Sequence, residues 1–227
     1  MQTDNYIDLI LNKCSAQFNA FSKMLKDYNK ICNITSIVDD RGITYKHFLD
    51  SIAGEFLFEK GADVVEIGSG GGFPSIPLKI VRDDLKFTLI ESTGKKCSFL
   101  NSVVDNLGLK CVQVKNIRAE EGAHDKNMRE KYDIACARAV ARLNVLCEYC
   151  LPFVRVGGKF IAYKGVAEEE IKEAENALKI LGGEIEQVIK YELPEDGSKR
   201  TLVCIRKIKH TPALYPRGQG RERKNPL

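Results

Sequence analysis

The sequence is poor in histidine and has no phosphate-binding loop, and both absences argue against classes of enzyme. It contains three histidines, His47, His124 and His210, and none falls in an evident Ser–His–acid or Cys–His–acid arrangement. An enzyme that needs a histidine as general base is therefore not favoured. No G-x-x-x-x-G-K-[ST] segment occurs either, which argues against a nucleoside triphosphatase.

Long hydrophobic runs are also missing. No stretch approaches the roughly 20 apolar residues of a membrane span, and the first residues, M-Q-T-D-N-Y, lack the basic-then-apolar layout of a signal peptide. Eight cysteines are scattered through apolar runs, and Cys147 and Cys150 form a C-x-x-C without the second pair that a zinc site needs. We expect a cytoplasmic protein with reduced cysteines, no metal and no membrane segment.

The most informative segment present is a glycine cluster. Residues 64–74 read V-V-E-I-G-S-G-G-G-F-P, a β-branched run that leads into glycines and then into helix-compatible sequence. This order predicts the first βα turn of an open α/β sheet, where backbone N–H groups can bind a ligand. Glu91 lies 19 residues beyond Gly72, close to the roughly 20 expected for a carboxylate that binds a ribose. A nucleoside-containing cofactor is the first inference.

The glycine spacing indicates which cofactor. A dinucleotide fingerprint, G-x-G-x-x-G, would need a third glycine where this chain has Phe73. The pattern Glu66-x-Gly68-x-Gly70-x-Gly72 instead resembles the first motif of the class I S-adenosylmethionine (AdoMet) methyltransferases. A glycine-rich turn without a ligand remains an alternative, and an oxidoreductase would require that Phe73 be tolerated in a dinucleotide site.

Alternating strand and helix patterns predict an α/β fold. Helical spacing of apolar residues precedes the glycine cluster over 4–30 and again around 47–58. Seven strands are expected near 62–67, 86–91, 110–115, 132–137, 158–163, 184–192 and 200–207, with helices near 75–82, 94–107, 140–152 and 168–181. The last two strands have no helix between them, which predicts a mostly parallel sheet whose last strand is antiparallel.

The chain is expected to form one domain. Its 227 residues, 44% of them hydrophobic, are enough for a single α/β core. The expected parts are an N-terminal helical extension (1–60), a Rossmann-like core (61–207) and a basic C-terminal tail (208–227). From residue 206 onwards there are seven Lys or Arg and one Glu, whereas the rest of the chain has 28 basic and 30 acidic residues. Such local basicity is typical of polyanion binding, although a solvated tail is the alternative.

Together these segments resemble the bacterial 16S ribosomal RNA guanine-N7 methyltransferase G family, also called glucose-inhibited division protein B. The resemblance covers nearly the whole chain. Its matching segments are K-H-F-L-D-S (46–51), E-I-G-S-G-G-G-F-P-S-I-P-L (66–78), I-E-S-T-G-K-K-C-S-F-L (90–100), R-A-E-E (118–121), A-R-A-V-A (137–141), Y-K-G (163–165) and T-P-A-L-Y-P-R-G-Q-G (211–220).

The resemblance implies methyl transfer from AdoMet to N7 of one guanosine in the decoding-site loop of helix 18 of 16S ribosomal RNA. Glu91 would bind the ribose, and Ala119 and Glu120 would flank the adenine. The expected cofactor-binding residues are Glu66, Gly68, Gly70, Gly72, Phe73, Glu91, Ala119, Glu120 and Arg138.

Guanine N7 has an available lone pair in the neutral base, so no general base is required. Arg138 and Lys164 are the expected catalytic residues, as cations that orient the guanine through its O6 atom. Arg138 could instead pair with Glu66 or Glu91, and Lys164 could be an exposed strand-end lysine. RNA contacts are expected from Lys95, Lys96, Arg118, Arg142 and Arg217.

Two other functions stay open. One is an AdoMet enzyme that acts on a small metabolite, and the other is a non-catalytic ribosome-assembly factor that keeps the fold for binding. For the expected function, naked 16S RNA, an assembly particle and the whole small subunit remain possible substrates. A monomer is expected.

Overall fold

A seven-stranded sheet forms the centre of the protein, for which a computed structural model describes residues 13–227. The strands are β1 (Asp63–Ile67), β2 (Lys86–Ile90), β3 (Val112–Lys115), β4 (Tyr132–Arg138), β5 (Val154–Lys164), β6 (Gly183–Glu192) and β7 (Lys199–Lys207). Their spatial order is β3-β2-β1-β4-β5-β7-β6. Strand β7 is antiparallel to both of its neighbours, β5 and β6, whereas the pairs formed among β1 to β5 are parallel. The predicted mostly parallel sheet with an antiparallel last strand is confirmed.

Helices precede the sheet and connect its strands. The first are α1 (Ser15–Asn29) and a π-helix (Ile43–Leu49) that lies between single α-turns at Asp40–Gly42 and Asp50–Ile52. The later ones are α2 (Ser75–Val81), α3 (Gly94–Asn106), α4 (Ala119–His124), α5 (Leu143–Cys150), α6 (Glu168–Glu173), α7 (Glu175–Leu181) and α8 (Arg221–Lys224), with 3₁₀ turns at Glu55–Leu57 and Leu151–Phe153. No helix within residues 13–227 has the length and apolar character needed to cross a membrane.

Some predicted helices differ from the observed ones, and one prediction is only partly covered by the described residues. The start of the helix expected over 4–30, with Ile7, Ile10 and Leu11, lies outside the described residues. The helix expected over 168–181 is divided into α6 and α7 at Ala174. Helix α4 was not predicted, because its six residues are too few to show a helical period.

Hydrophobic clusters cover both faces of the sheet, because alternate strand residues point to opposite sides. Val64 belongs to a cluster with buried residues of α1, α2 and α3, whereas Val65 belongs to a second cluster with α5 and α7. With both faces covered, the strand ends are the part of the sheet left for a ligand.

The strand order determines which end of the sheet binds ligands. Strand β1 lies between β2 and β4, so the chain reverses its direction of progress across the sheet at the β1–β4 boundary. In open α/β sheets ligands bind outside the carboxyl ends of the strands at such a switch point. The glycine turn follows β1 and residues 139–142 follow β4, so both segments lie at this point.

Helix α1 contacts the glycine turn through a cluster of aromatic rings. The Phe21 ring is fully buried, with its centroid 5.4 Å from that of Phe73 and 5.5 Å from that of Phe48. Phe48 belongs to the π-helix. The N-terminal helices are therefore part of the main hydrophobic core on the face that carries Phe73.

Replacing Phe21 with Ala is expected to lower the free energy of unfolding by about 3–5 kcal/mol, because the change leaves a cavity between α1, the π-helix and the glycine turn. Phe56 is the matched control, since its ring is 65% exposed. The Phe56→Ala change is expected to alter stability by about 0.5 kcal/mol or less. Urea denaturation of both variants measures the difference, and equal losses would contradict this description of the core.

Candidate active site

The glycine turn after β1 adopts a backbone conformation that most residues disfavour. Gly68 and Gly70 have φ angles of 69° and 53°. A Cβ atom on Gly68 would lie 2.7 Å from the Val140 side chain, so a larger residue there would clash with the segment that follows β4. The N–H groups of Gly68 and Ser69 both donate to the Ile90 carbonyl, at 2.9 and 3.0 Å. The turn is thereby fixed against the end of β2.

Glu91 connects the glycine turn to the start of α3. Its Oε2 atom accepts a hydrogen bond from the Gly70 N–H at 3.0 Å, and its Oε1 atom accepts one from the Thr93 N–H at 2.8 Å. A carboxylate oxygen has two lone pairs, so each atom can accept a second hydrogen bond. Glu91 can therefore position the turn and also accept hydrogen bonds from the hydroxyls of a ribose.

A cavity of about 170 Å³ lies beside Glu91. Gly68 and Glu91 form one side, and residues 118–120 at the start of α4 form another. The volume is below the roughly 300–1,000 Å³ of drug-sized ligand pockets, so it suits a nucleoside rather than a whole extended cofactor. We name this the nucleoside cavity. Four of the residues predicted to bind the cofactor line it, namely Gly68, Glu91, Ala119 and Glu120.

The other predicted cofactor residues, Glu66, Gly70, Gly72, Phe73 and Arg138, do not line the nucleoside cavity. Phe73 packs between two side chains instead. Its ring stacks on His47 with a centroid distance of 4.4 Å, and the Arg138 guanidinium carbon lies 4.9 Å from its centroid. Phe73 thus joins the glycine turn to the π-helix and to the end of β4.

Arg138 is bound by the π-helix and by the α-turn that follows it. Its Nη1 atom donates to the Lys46 carbonyl at 3.1 Å and to Asp50 Oδ2 at 3.0 Å, and its Nη2 atom lies 3.0 Å from His47 Nδ1. Pairing with Glu66 or Glu91, the alternative considered above, is not what the structure has: the ion pair is with Asp50. Sequence patterns gave no sign of Asp50, although it lies within the family-like segment K-H-F-L-D-S.

His47 is neutral at physiological pH. Burial, followed by the nearby charge of Arg138, lowers the pKa of His47 to about 3. Because a guanidinium only donates hydrogen bonds, Nδ1 must be the acceptor, and Nε2 carries the proton and donates to Thr35 Oγ1 at 2.8 Å. His47 therefore positions Arg138 and is not an acid or base.

A second cavity, of about 310 Å³, lies at the ends of β4 and β5. Both residues predicted to be catalytic, Arg138 and Lys164, line it together with Asp50 and Glu170. Lys164 is not the exposed lysine considered as an alternative: its side chain is 9% exposed, with Nζ 2.6 Å from Glu170 and 2.9 Å from the Ala141 carbonyl. Each cation thus has a carboxylate partner. We name this the cationic cavity.

The predicted RNA-binding residues fall into two groups. Lys95 and Arg118 are exposed and Lys96 is partly exposed, all at the carboxyl edge of the sheet. Arg142 and Arg217, in contrast, form bidentate ion pairs. Arg142 donates to both carboxylate oxygens of Glu173, at 2.7 and 2.8 Å. Arg217 donates to both oxygens of buried Glu148, at 3.0 and 2.8 Å. A phosphate contact from Arg217 would require that this pair break.

No group of three or more metal-ligating side chains occurs within residues 13–227.

Glu66 lies beneath the glycine turn and is fully buried. Burial raises the pKa of Glu66 to about 8. The hydroxyls of Ser75 and Ser69 and the charge of Arg138 oppose this shift, but neither carboxyl oxygen has a hydrogen-bond partner among the described residues. Glu66 is therefore protonated at neutral pH and does not contribute a negative charge to the site.

Known proteins resemble the chain both in sequence and in fold. The family model described as rRNA small subunit methyltransferase G matches residues 14–202. The chain belongs to this family. A relative from Acetivibrio thermocellus, named ribosomal RNA small subunit methyltransferase G, is 47% identical over 212 residues, which cover 93% of this chain and 88% of the relative. The family assignment expected from the sequence motifs is confirmed.

Solved structures agree with this assignment at the level of the fold. An Aquifex aeolicus SAM-dependent methyltransferase matches with a TM-score of 0.55 at 19% identity, over 75% of this chain and 95% of that one. P. horikoshii TYW2 in complex with MeSAdo matches with a TM-score of 0.57 at 14% identity, over 70% and 62%. The protein therefore has the class I, Rossmann-like methyltransferase fold that its strand order indicates.

Replacing Glu91 with Ala is expected to lower the affinity for AdoMet by about 1–3 kcal/mol, because the variant loses charge-assisted hydrogen bonds at the cavity wall. The Gly70 and Thr93 N–H groups lose their acceptor as well, so the free energy of unfolding should also fall. Glu91→Gln keeps one acceptor oxygen, so its affinity for AdoMet should lie between those of the wild type and Glu91→Ala. Calorimetric titration with AdoMet measures the affinities, and an unchanged affinity in folded Glu91→Ala would contradict the assignment.

Replacing Glu66 with Gln is expected to flatten the dependence of stability on pH. The folded protein retains this proton up to the raised pKa of about 8, whereas the unfolded chain releases it near the ordinary value of 4.5. The Glu66 contribution to stability is thus complete below pH 4.5 and is lost as pH rises towards 8. Its slope is about 1.4 kcal/mol per pH unit.

Urea denaturation of wild type and Glu66→Gln between about pH 5 and pH 8 measures this difference. Stability curves that stay parallel over that range would show that Glu66 is ionised in the folded protein.

Proposed function

We propose that the protein, an AdoMet-dependent methyltransferase of small-subunit ribosomal RNA, methylates N7 of a guanosine in the helix 18 loop of 16S RNA. We further propose that it acts in the cytoplasm as a monomer. The observation that carries the proposal is the arrangement of the two cavities. Val140 lines the nucleoside cavity and Ala139 lines the cationic cavity, so consecutive residues after β4 lie between a cofactor site and a base-sized site.

The nucleoside cavity fits the adenosine half of AdoMet. Glu91 has lone pairs left for the ribose hydroxyls, and Ala119 and Glu120 provide a wall for the adenine. When bound, AdoMet supplies an electrophilic methyl group on a sulfonium. The work left to the chain is to exclude water and to align the base, because guanine N7 needs no general base.

The cationic cavity supports binding of a guanine. The three bonds of Arg138 to the π-helix and Asp50 use three of its five N–H donors, which leaves donors for guanine O6. Lys164 donates to Ala141 and pairs with Glu170, and its ammonium has a third hydrogen to donate. The guanine gains positive charge at N7 during the reaction, and a nearby cation does not stabilise that charge. The role proposed for both cations is therefore to orient the base through O6.

Phosphate contacts would come from the basic residues around the carboxyl edge. Lys95, Lys96 and Arg118 are positioned for such contacts without rearrangement, and Arg142 and Arg217 would add to them on exchange of their carboxylate partners for phosphate.

The direct test is incubation with labelled AdoMet and unmethylated small subunits, with naked 16S RNA in a parallel reaction, followed by mapping of the modified base. We expect label on N7 of one guanosine in helix 18. Label at another nucleotide would contradict the proposed target. AdoMet binding without transfer to either substrate would favour an assembly factor, and transfer to a small metabolite alone would favour a metabolic enzyme.

Replacing Arg138 with Ala is expected to lower the single-turnover rate about 100-fold, with a smaller loss of RNA affinity, because the base is bound but poorly oriented. Arg138→Lys keeps the charge without the planar fork and should be intermediate. The matched control is Arg155→Ala. Arg155 forms an ion pair with Asp133 near the opposite end of the sheet. A wild-type rate in Arg138→Ala, in folded protein, would contradict this role.

A further inference from the structure

The last 20 residues pack along α4 and α5 and return to the nucleoside cavity. The guanidinium of Arg129 donates to three carbonyls of this segment, those of Thr211 and Tyr215 at 2.9 Å and that of Pro212 at 3.1 Å. His124 Nε2 lies 2.9 Å from the Pro216 carbonyl. Backbone atoms of four residues are thus bound directly to the body of the protein, and the solvated tail considered from composition is not what the structure has.

A buried ion pair fixes the segment to α5 just before α8. Glu148 is 1% exposed, and it accepts hydrogen bonds from the backbone N–H of Arg217 at 2.8 Å and from the guanidinium of the same residue. A carboxylate in such a position requires partners, because an unpaired buried charge is strongly unfavourable. Arg217 therefore belongs to the anchoring of the C-terminal segment.

Helix α8 brings one side chain to the nucleoside cavity. Glu222 is fully buried and accepts a hydrogen bond from the Gly218 N–H, while the next residue, Arg223, lines the cavity together with Glu91 and Glu120. Arg223 is exposed, but its Nη2 atom donates to the Val140 carbonyl at 3.3 Å, so the guanidinium reaches the segment that lines the cavity. Arg223 lies outside residues 14–202, the part that the family model matches.

We propose that Arg223 is a cofactor-binding residue that contacts the adenosine half of AdoMet, and that the Arg217–Glu148 pair positions it. This inference rests on the proposed function only in its choice of cofactor. A guanidinium suits this wall for two reasons: its planar face packs on a purine ring, and its edge donates to ring nitrogens and ribose oxygens. Together with Arg118, it brings positive charge to a cavity that is also lined by two carboxylates, Glu91 and Glu120.

The test is calorimetric binding of two ligands without RNA. One is AdoMet, and the other is 5′-methylthioadenosine, which has the adenosine but lacks the charged amino-acid end. Arg223→Ala is expected to lower the affinity for both ligands about tenfold. Lys224→Ala is the matched control, an exposed cation next to Arg223 that does not line the cavity, and it should bind both ligands as wild type does.

Several outcomes would overturn the proposal. Wild-type affinity of Arg223→Ala for both ligands would show that the residue makes no contact. A loss confined to AdoMet would place the contact at the amino-acid end of the cofactor, contrary to the proposal. If wild type itself bound neither ligand, the proposed function would fail first, and the inference with it.

A double-mutant cycle tests the positioning role of Arg217. Arg217→Ala should weaken the binding of both ligands, because the segment no longer directs Arg223 to the cavity. The double variant, Arg217→Ala with Arg223→Ala, should bind them no more weakly than Arg223→Ala alone. Independent, multiplying losses would show that Arg217 does not act through Arg223. Circular dichroism and urea denaturation establish that each variant is folded at the temperature of the titration.

Discussion

The buried carboxylate of Asp50 is the group on which the arrangement of the site depends. Its two oxygens contact Arg138 at 3.0 Å, the Tyr191 hydroxyl at 2.7 Å and Arg200 at 3.4 Å. These partners come from β4, β6 and β7, whereas Asp50 itself follows the π-helix. A buried charge is tolerated only with such partners. The N-terminal helices are therefore coupled to the sheet by electrostatics as well as by the aromatic contacts of Phe73, and they determine where the Arg138 guanidinium lies.

Local patterns in the sequence predict the sheet well because they report on local physics. The alternation that places Val64 and Val65 in opposite clusters is visible in the residues themselves, and so is the glycine turn with its φ angles of 69° and 53°. Glu91 was identified by its distance along the chain from that turn. The structure adds that it accepts hydrogen bonds from the turn, a role that spacing does not reveal.

The partners of the charged side chains could not be predicted in the same way. Arg138 and Asp50 are 88 positions apart, and Arg217 and Glu148 are 69 apart. Nothing local distinguishes Asp50 or Glu148 from the other acids of the chain, because which one becomes buried is decided by tertiary packing. The prediction that Arg217 faces RNA treated it as a member of a basic tail, whereas a single buried acid fixes its position.

The segment after β4 borders both cavities, and this has a thermodynamic consequence. Ala139 has a φ of 58°, a conformation that is strained for a residue with a side chain, and the adjacent Val140 packs beside Gly68. A ligand that displaced this segment from one cavity would change the shape of the other, and the two binding equilibria would then be linked. Linkage is reciprocal: the factor by which the cofactor changes the affinity for RNA equals the factor by which RNA changes the affinity for the cofactor. A segment of two residues is thus enough to couple the cofactor site to the substrate site.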